Sequence, residues 1–256
     1  MEIAWNEIAR GLASDVEKVV MPLFGTPQAG RDMGTNVSGD VTKYVDKVAE
    51  DLVIERLKPL GINIVSEEVG FIDNGSDYTV VVDPIDGSYN FAAGIPIFAF
   101  SFAVFRGKRP VYGSIYEFVP KHFYEAIPGE GAFMNGKRIH VRKPERGKEA
   151  LSFYTRGRCT GLIKRVKRVR VLGAIAVELT YLAKGALDGV LDIRNYVRPT
   201  DIAAGVLIAR EAGAIVTDER GRELEVHLSA TEQTNVIAVN DEYLLKMILE
   251  ELENGP

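Results

Sequence analysis

Asp83 and Asp86, in the segment TVVVDPIDGSYNF (79–91), are the residues of this chain best suited by type and spacing to do chemistry. A continuously apolar run ends at Asp83, and Pro84 fixes the direction of the chain behind it and keeps a helix from starting a residue early. Asp86 follows three residues on, where a tight turn would return its carboxylate to the side of Asp83. Two carboxylates crowded at a strand end repel each other unless a cation lies between them. All-oxygen ligands favour Mg²⁺, Mn²⁺ or Ca²⁺ over zinc. Gly87 permits close backbone approach, and Ser88 opens a short helix whose first amides point outward at an anion site. A cation site and an anion site so close together imply phosphate-ester chemistry. A D-x-x-D-G string alone is more often a turn or a cap. Two further acids give it more weight: Glu67, which with Glu68 ends the strand-like run INIVSEE, and Asp201, which opens a helix that is otherwise apolar. In isolation Asp201 would do no more than complement the helix dipole.

Together these elements resemble the inositol monophosphatase family of metal-dependent phosphatases. The matches are SEE at 66–68, DPIDGSYNF at 83–91, the LGAIAVEL segment after Arg170 and TDIAAG at 200–205, in the family's order and spacing over nearly the whole chain. The resemblance implies an α/β layered chain with the αβαβα sugar-phosphatase fold, acting on small-molecule phosphate esters. It implies that Glu67, Asp83, the carbonyl of Ile85, Asp86 and Asp201 ligate two or three Mg²⁺ ions, with Mn²⁺ as a substitute. By it, Gly87 and Ser88 hold the phosphate beside Asp86. Ser88 and Asp46 orient or deprotonate the attacking water, and Glu67 joins them as a catalytic residue. The family often carries a lysine in the loop before the second helix; Gly34-Thr35-Asn36 stand there instead. Asp40 is a looser candidate for a weaker third metal site. A homodimer is implied by the resemblance alone.

The substrate clue lies in the basic residues. Arg194 is seven residues before Asp201, where inositol-specific members carry an acid. A guanidinium there binds a second phosphate in a fork geometry. Arg170 matches the family's arginine near the substrate, and the backbone near Ile175 lines the same pocket. These features resemble the archaeal dual-activity members, which act on fructose 1,6-bisphosphate and inositol 1-phosphate. Arg170 and Arg194 are then expected to grip the phosphate that is not cleaved. A phosphatase for 3′-phosphoadenosine 5′-phosphate is the alternative within the family. Outside it, Cys159 followed six positions later by Arg165 fits the C-x5-R loop of cysteine phosphatases. Two neighbouring arginines would help to lower the thiol's pKa.

The elements that must position these groups follow from periodicity. From residue 2 to about 24, Trp5, Ile8, Leu12, Val16, Val20 and Leu23 recur at helical spacing. Residues 25–39 are polar and glycine-rich and read as a mobile loop; a second helix carries Val41, Val45, Val48, Ala49, Leu52 and Val53 on one face. Strand-like runs then follow to residue 127, with a hairpin around Asn135-Gly136. After that, strands and helices alternate, which predicts layered α/β architecture. A division is expected into 1–145, the helix pair and mostly antiparallel sheet, and 146–256, an α/β half that completes the site.

Composition sets the outer limits. With 31 basic and 36 acidic residues the net charge is −5, which argues against nucleic-acid binding as the main task. One cysteine excludes an internal disulfide, and with three scattered histidines it excludes a four-ligand structural zinc site. Neither a secretory h-region nor an apolar run of the ~18 residues a membrane span needs is present, so a soluble, cytoplasmic protein without membrane partners is expected. Scarce glutamine beside abundant Glu, Lys and Arg hints at a heat-adapted source.

Overall fold

In a computed structural model of the chain, which describes residues 3–254, the N-terminal apolar stripe forms α1 (Trp5–Val20), continued by a 3-10 turn at Met21–Leu23. Glu2, within the predicted helical stretch, lies outside the described residues. The 25–39 stretch is not a bare loop: it builds an antiparallel hairpin of β1 (Asp32–Thr35) and β2 (Val41–Lys43). All of β1 is exposed, so no apolar alternation marks it in the sequence. The Asn36 side chain shapes the turn by accepting from the amides of Ser38 and Asp40, each at 3.0 Å. Helix α2 (Tyr44–Leu57) follows, buried through Val45, Ala49, Glu50, Val53 and Leu57; Val41, expected on this helix, belongs instead to β2, where pairing with Thr35 holds it extended.

The first sheet contains β3 (Asn63–Ser66), β4 (Gly70–Ile72), β5 (Tyr78–Asp86), β6 (Ala99–Arg106), β7 (Arg109–Glu117), β8 (His122–Ile127), β9 (Gly131–Met134) and β10 (Lys137–Ile139). Their order is β10-β9-β8-β7-β6-β5-β3-β4, and only the β3–β5 pair is parallel. A short helix, α3 (Ser88–Ala93), links β5 to β6. The β9–β10 turn has positive φ at both Asn135 and Gly136, the conformation that an Asn-Gly hairpin demands.

Beyond residue 149 come β11 (Ala150–Tyr154), α4 (Leu162–Arg165), β12 (Arg168–Arg170), α5 (Ile175–Ala183) and β13 (Gly189–Val197). They are followed by α6 (Pro199–Glu211), β14 (Ile215–Thr217), β15 (Thr234–Val239) and α7 (Glu242–Asn254). The five strands form a mixed sheet ordered β12-β11-β13-β15-β14.

Four apolar interfaces stack these elements. Helices α1 and α2 bury Val16 and Val53 with Phe100 and Phe102 on one face of the first sheet. On its other face, Ala176 of α5 and Ala204 and Leu207 of α6 meet Val81 and Ile115. The opposite sides of α5 and α6 press Leu179 and Val206 on Val190 and Val236 of the second sheet. Helix α7 covers that sheet's outer face through Leu244 and Ile248. The result is the five-layer αβαβα arrangement that the resemblance implies. Because α5 and α6 follow residue 146 yet pack on the first sheet, the two parts of the chain share their middle layer.

That middle layer is tight. A Cβ on Gly205 would come within 2.6 Å of Leu179 Cδ1 and 2.9 Å of its Cβ, so α5 and α6 touch where α6 has no side chain. Replacing an interior helical glycine by alanine ordinarily gains up to about 1 kcal/mol, whereas overpacking costs about 1–3 kcal/mol. Gly205→Ala is therefore expected to lower the denaturant midpoint of unfolding. A raised midpoint would show that the two helices do not meet this closely.

Candidate active site

Asp83 and Asp86 are three residues apart, which in a regular strand would send them to opposite faces. A bulge prevents this. Asp83 pairs with Ser101 and Asp86 with Ala99, so three steps on β5 oppose two on β6, and both acids face the α5–α6 layer. The sequence-based expectation was a tight turn; β5 instead runs on through Pro84 and Ile85 to Asp86. Asp201 reaches the same place from the first turn of α6, and Glu67 from the turn after β3.

Glu67, Asp83 and Asp201 each present a carboxylate oxygen within 4.8 Å of the other two. Asp86 lies against them, raising Asp83 by repulsion and itself being raised by Asp201. Burial, and then this mutual repulsion, pushes the carboxyls of Asp83 and Asp86 well above the usual range. Burial chiefly raises Asp201 as well, and burial with the Asp201 charge takes Glu67 up to about 8. Such a cluster holds more negative than positive charge, and its hard oxygen donors suit a divalent cation of the Mg²⁺ or Mn²⁺ kind. The Ile85 amide donates to Asp83 Oδ1 at 2.9 Å, and the Ala176 amide to Asp86 Oδ2 at 2.9 Å.

One guanidinium enters the cluster. Arg198 Nη1 donates to Glu67 Oε1 at 2.9 Å, and its Nη2 pairs with Asp40, the candidate for a third metal site. A single positive charge shared in this way does not neutralise four acids, and Asp83 and Asp86 have no ion-pair partner among the described residues.

The anion cradle adjoins the acids. Gly87 has φ +88° and caps α3; a Cβ there would lie 2.9 Å from that of Ala174 and 3.0 Å from the carbonyl of Ile97. Only glycine fits this position. The first-turn amides of α3 have no partner within the helix, which leaves them for an anion. Asp46, on the first turn of α2, accepts from the Lys43 amide at 3.2 Å and from Ser88. Burial pushes it to about 6.

Two residues at this site escape sequence reasoning. Lys43 Nζ donates to Ser88 Oγ at 2.9 Å, so a cation reaches the cradle from the end of β2, away from the loop position examined for a lysine. Glu50, buried on α2, accepts from the amides of Glu68 and Val69 at 3.2 and 3.3 Å and from the Ser66 hydroxyl. It thereby shapes the turn that presents Glu67. A carboxylate on an otherwise apolar helix face is its only trace in the sequence.

The remaining predicted residues are more dispersed. The Ile175 side chain is buried between α6 and the second sheet, so only its backbone can line a pocket. Arg170 is exposed, with Nη1 on the Val169 carbonyl at 3.0 Å. Arg194 lies over the rings of Tyr154 and Tyr196, at 4.6 and 5.0 Å, and forks onto buried Asp192 through Nε and Nη2. The cysteine-phosphatase alternative fails here. Cys159 is 1% exposed, burial pushes its thiol to about 11, and Arg165 is engaged with Glu251 at 3.0 Å. A buried, protonated thiol cannot attack phosphorus.

Residues 4–256 match the family described as inositol monophosphatase. The chain is 72% identical, over the full length of both, to the fructose-1,6-bisphosphatase/inositol-1-monophosphatase of Thermococcus kodakarensis. It is similar to a solved inositol monophosphatase–fructose 1,6-bisphosphatase, with a TM-score of 0.94 and 46% identity over 98% of this chain and 100% of that one. A solved Pyrococcus horikoshii protein described as having similarities to inositol-1 monophosphatase gives a TM-score of 0.90 and 56% identity, covering 96% and 97% of the two chains.

The raised Glu67 makes stability depend on pH in a definite direction. Between its ordinary 4.5 and about 8 the folded chain keeps a proton that the unfolded chain has released, so stability falls as pH rises through that window. In EDTA, the guanidinium midpoint of the wild type is expected to fall between pH 5 and pH 8 relative to Glu67→Gln. Added Mg²⁺ is expected to restore more at pH 8 than at pH 5. Parallel pH curves for the two proteins would show that Glu67 is not raised.

Proposed function

The chain belongs to the inositol monophosphatase family, and from that premise we propose that it is a Mg²⁺-dependent phosphatase of sugar and polyol phosphates, with fructose 1,6-bisphosphate (at the 1-phosphate) and inositol 1-phosphate as its substrates. The observation that carries the reading is the convergence of Glu67, Asp83 and Asp201 within 4.8 Å, next to the glycine-built cradle at Gly87.

In this reading Glu67, Asp83, the Ile85 carbonyl, Asp86 and Asp201 hold two or three Mg²⁺ ions. When bound, such ions offset the charge of the phosphate dianion, lower the pKa of water and stabilise the departing alkoxide. The chain's own groups do the rest. The amides of Gly87 and Ser88 hold phosphate oxygens, and the Lys43 ammonium adds charge beside them. Asp46, at about 6, is ionised at neutral pH yet basic enough to take a proton from a water held by Ser88. No protein nucleophile is needed.

Arg194 retains donors for a second phosphate. Of its five N–H groups, Nε and one on Nη2 engage Asp192, leaving the Nη1 pair and one Nη2 hydrogen. Arg170, exposed and without a carboxylate partner among the described residues, supplies a second cation. The reading extends to a cytoplasmic homodimer on family likeness; no described helix is long and apolar enough to cross a membrane.

A phosphate-release panel with Mg²⁺ over inositol 1-phosphate, fructose 1,6-bisphosphate and 3′-phosphoadenosine 5′-phosphate tests the activity. Release is expected from the first two, abolished by EDTA and unaffected by iodoacetamide. Turnover confined to the adenosine bisphosphate, or activity that persists in EDTA, would overturn the assignment. Arg194→Ala is expected to lower kcat/KM for the bisphosphate by about 10- to 100-fold, the worth of a charged hydrogen bond. Inositol 1-phosphate hydrolysis should stay within about threefold of wild type, since a factor of three is well under 1 kcal/mol; equal losses on both would remove Arg194 from the second-phosphate site.

A further inference from the structure

Arg198 is 3% exposed, and its Nε–H has no hydrogen-bond partner among the described residues. A buried ion pair is often replaceable by apolar groups without loss of stability, so a guanidinium retained with an unsatisfied N–H calls for another reason. Its contacts supply one. Nη1 donates to Glu67 Oε1 at 2.9 Å, the Arg198 amide donates to Asp201 Oδ2 at 2.8 Å, and Nη2 pairs with Asp40 in the β1–β2 turn. The same Glu67 Oε1 also accepts from Asn36 Nδ2 of that turn at 3.4 Å. One residue thus orients an acid from the first sheet and another from α6, and ties both to the hairpin. The hairpin's other side-chain ties are Ser38 Oγ to the Ala230 carbonyl at 3.1 Å, Thr42 to Glu68, and Lys43 Nζ to Ser88 Oγ at 2.9 Å.

We propose that Arg198 is a positioning residue that couples closure of the β1–β2 hairpin to cation binding by holding Glu67 Oε1 and Asp201 Oδ2 aside and clamping Asp40. The remaining lone pairs of Glu67 and Asp201 are then left for a cation in fixed directions. A hairpin tip seated through the same guanidinium stands over a site whose ligands are already set. The proposal rests on the reading of Glu67 and Asp201 as cation ligands, and its test separates the two.

The test measures Mn²⁺ binding to the full chain by EPR, and amide exchange over residues 31–43 in EDTA, for wild type, Arg198→Met and Arg198→Lys. Arg198→Met is expected to bind Mn²⁺ about 10- to 100-fold more weakly, the usual cost of losing an outer partner of a metal ligand. Its 31–43 amides should exchange at least about tenfold faster than wild type even without metal, as a lost charged tie of about 1.5 kcal/mol implies. Arg198→Lys keeps the charge and the backbone donor but not the fork, and should fall between the two. If Arg198→Met does not fold, Arg198→Lys decides alone: Mn²⁺ affinity and hairpin exchange equal to wild type would overturn the coupling. Wild-type affinity or exchange in a folded Arg198→Met would overturn it equally. A wild-type chain that binds no Mn²⁺ sinks the ligand reading and the proposal together, whereas faster hairpin exchange in EDTA reports the clamp independently of metal.

Discussion

Like charges held out of water govern this molecule. Four carboxylates converge from β5, α6 and the turn after β3; burial raises all of them, and mutual repulsion adds to it at Glu67, Asp83 and Asp86. Ionised acids cannot be gathered in a low-dielectric interior without compensation. The compensation here is partial. Amides of Ile85, Ala176 and Arg198 each donate to one acid, and a single guanidinium reaches Glu67. The remaining deficit is what a divalent cation would fill, so the same electrostatics that costs the fold stability prepares the site for its ligand.

Placing the acids requires departures from regular structure at defined points. Without the bulge at Pro84–Ile85, Asp83 and Asp86 would face opposite layers. Without a residue able to take φ +88° and accept Ala174 and the Ile97 carbonyl against it, α3 could not start beside Asp86. Gly205 brings α6 close to α5, so that Asp201 at one end of α6 and Ala176 at the start of α5 can both reach the β5 acids. The site is therefore a property of the middle layer, where both sheets and both central helices meet.

Most of this frame is legible in the sequence because it follows from periodicity. The β-branched run before Asp83, the apolar stripes of α1 and α2, and the strand–helix alternation after residue 149 correspond to elements within a few residues of expectation. The D-x-x-D-G string and Asp201 indicated a cation–anion pair of sites, and the family pattern added Glu67. What stayed hidden was set by tertiary contact. The β1–β2 hairpin buries almost nothing, so it has no hydrophobic signature. The bulge is a matter of register with β6. Lys43, Glu50 and Arg198 act through partners 45, 16 to 19, and 131 or 158 positions away. Such residues look like ordinary surface charges until the chain is folded, and a C-x5-R spacing looks like chemistry until Cys159 proves buried.

On the proposed reading, the separation between the two ends of a bisphosphate would be set by the frame rather than by flexible side chains. Arg194 rests on Tyr154, whose hydroxyl donates to Glu178 at 2.9 Å and accepts from the Gly173 amide at 2.7 Å. Glu178 in turn accepts from the Leu172 amide at 2.6 Å, and the Leu172 carbonyl accepts from Asn90 Nδ2 of α3 at 2.7 Å. A cation–π contact followed by a chain of short hydrogen bonds, buried or part-buried, therefore links the guanidinium to α3. Asp192 orients Arg194 at the far end while using only part of its donor set. On the proposed reading a second anion there would meet a cation already oriented by Asp192 and Tyr154, so little ordering would remain when the substrate arrives. If both substrates use the acidic cluster, as proposed, the preference between a one-phosphate and a two-phosphate substrate would lie less in that cluster than in how rigidly this bridge holds Arg194.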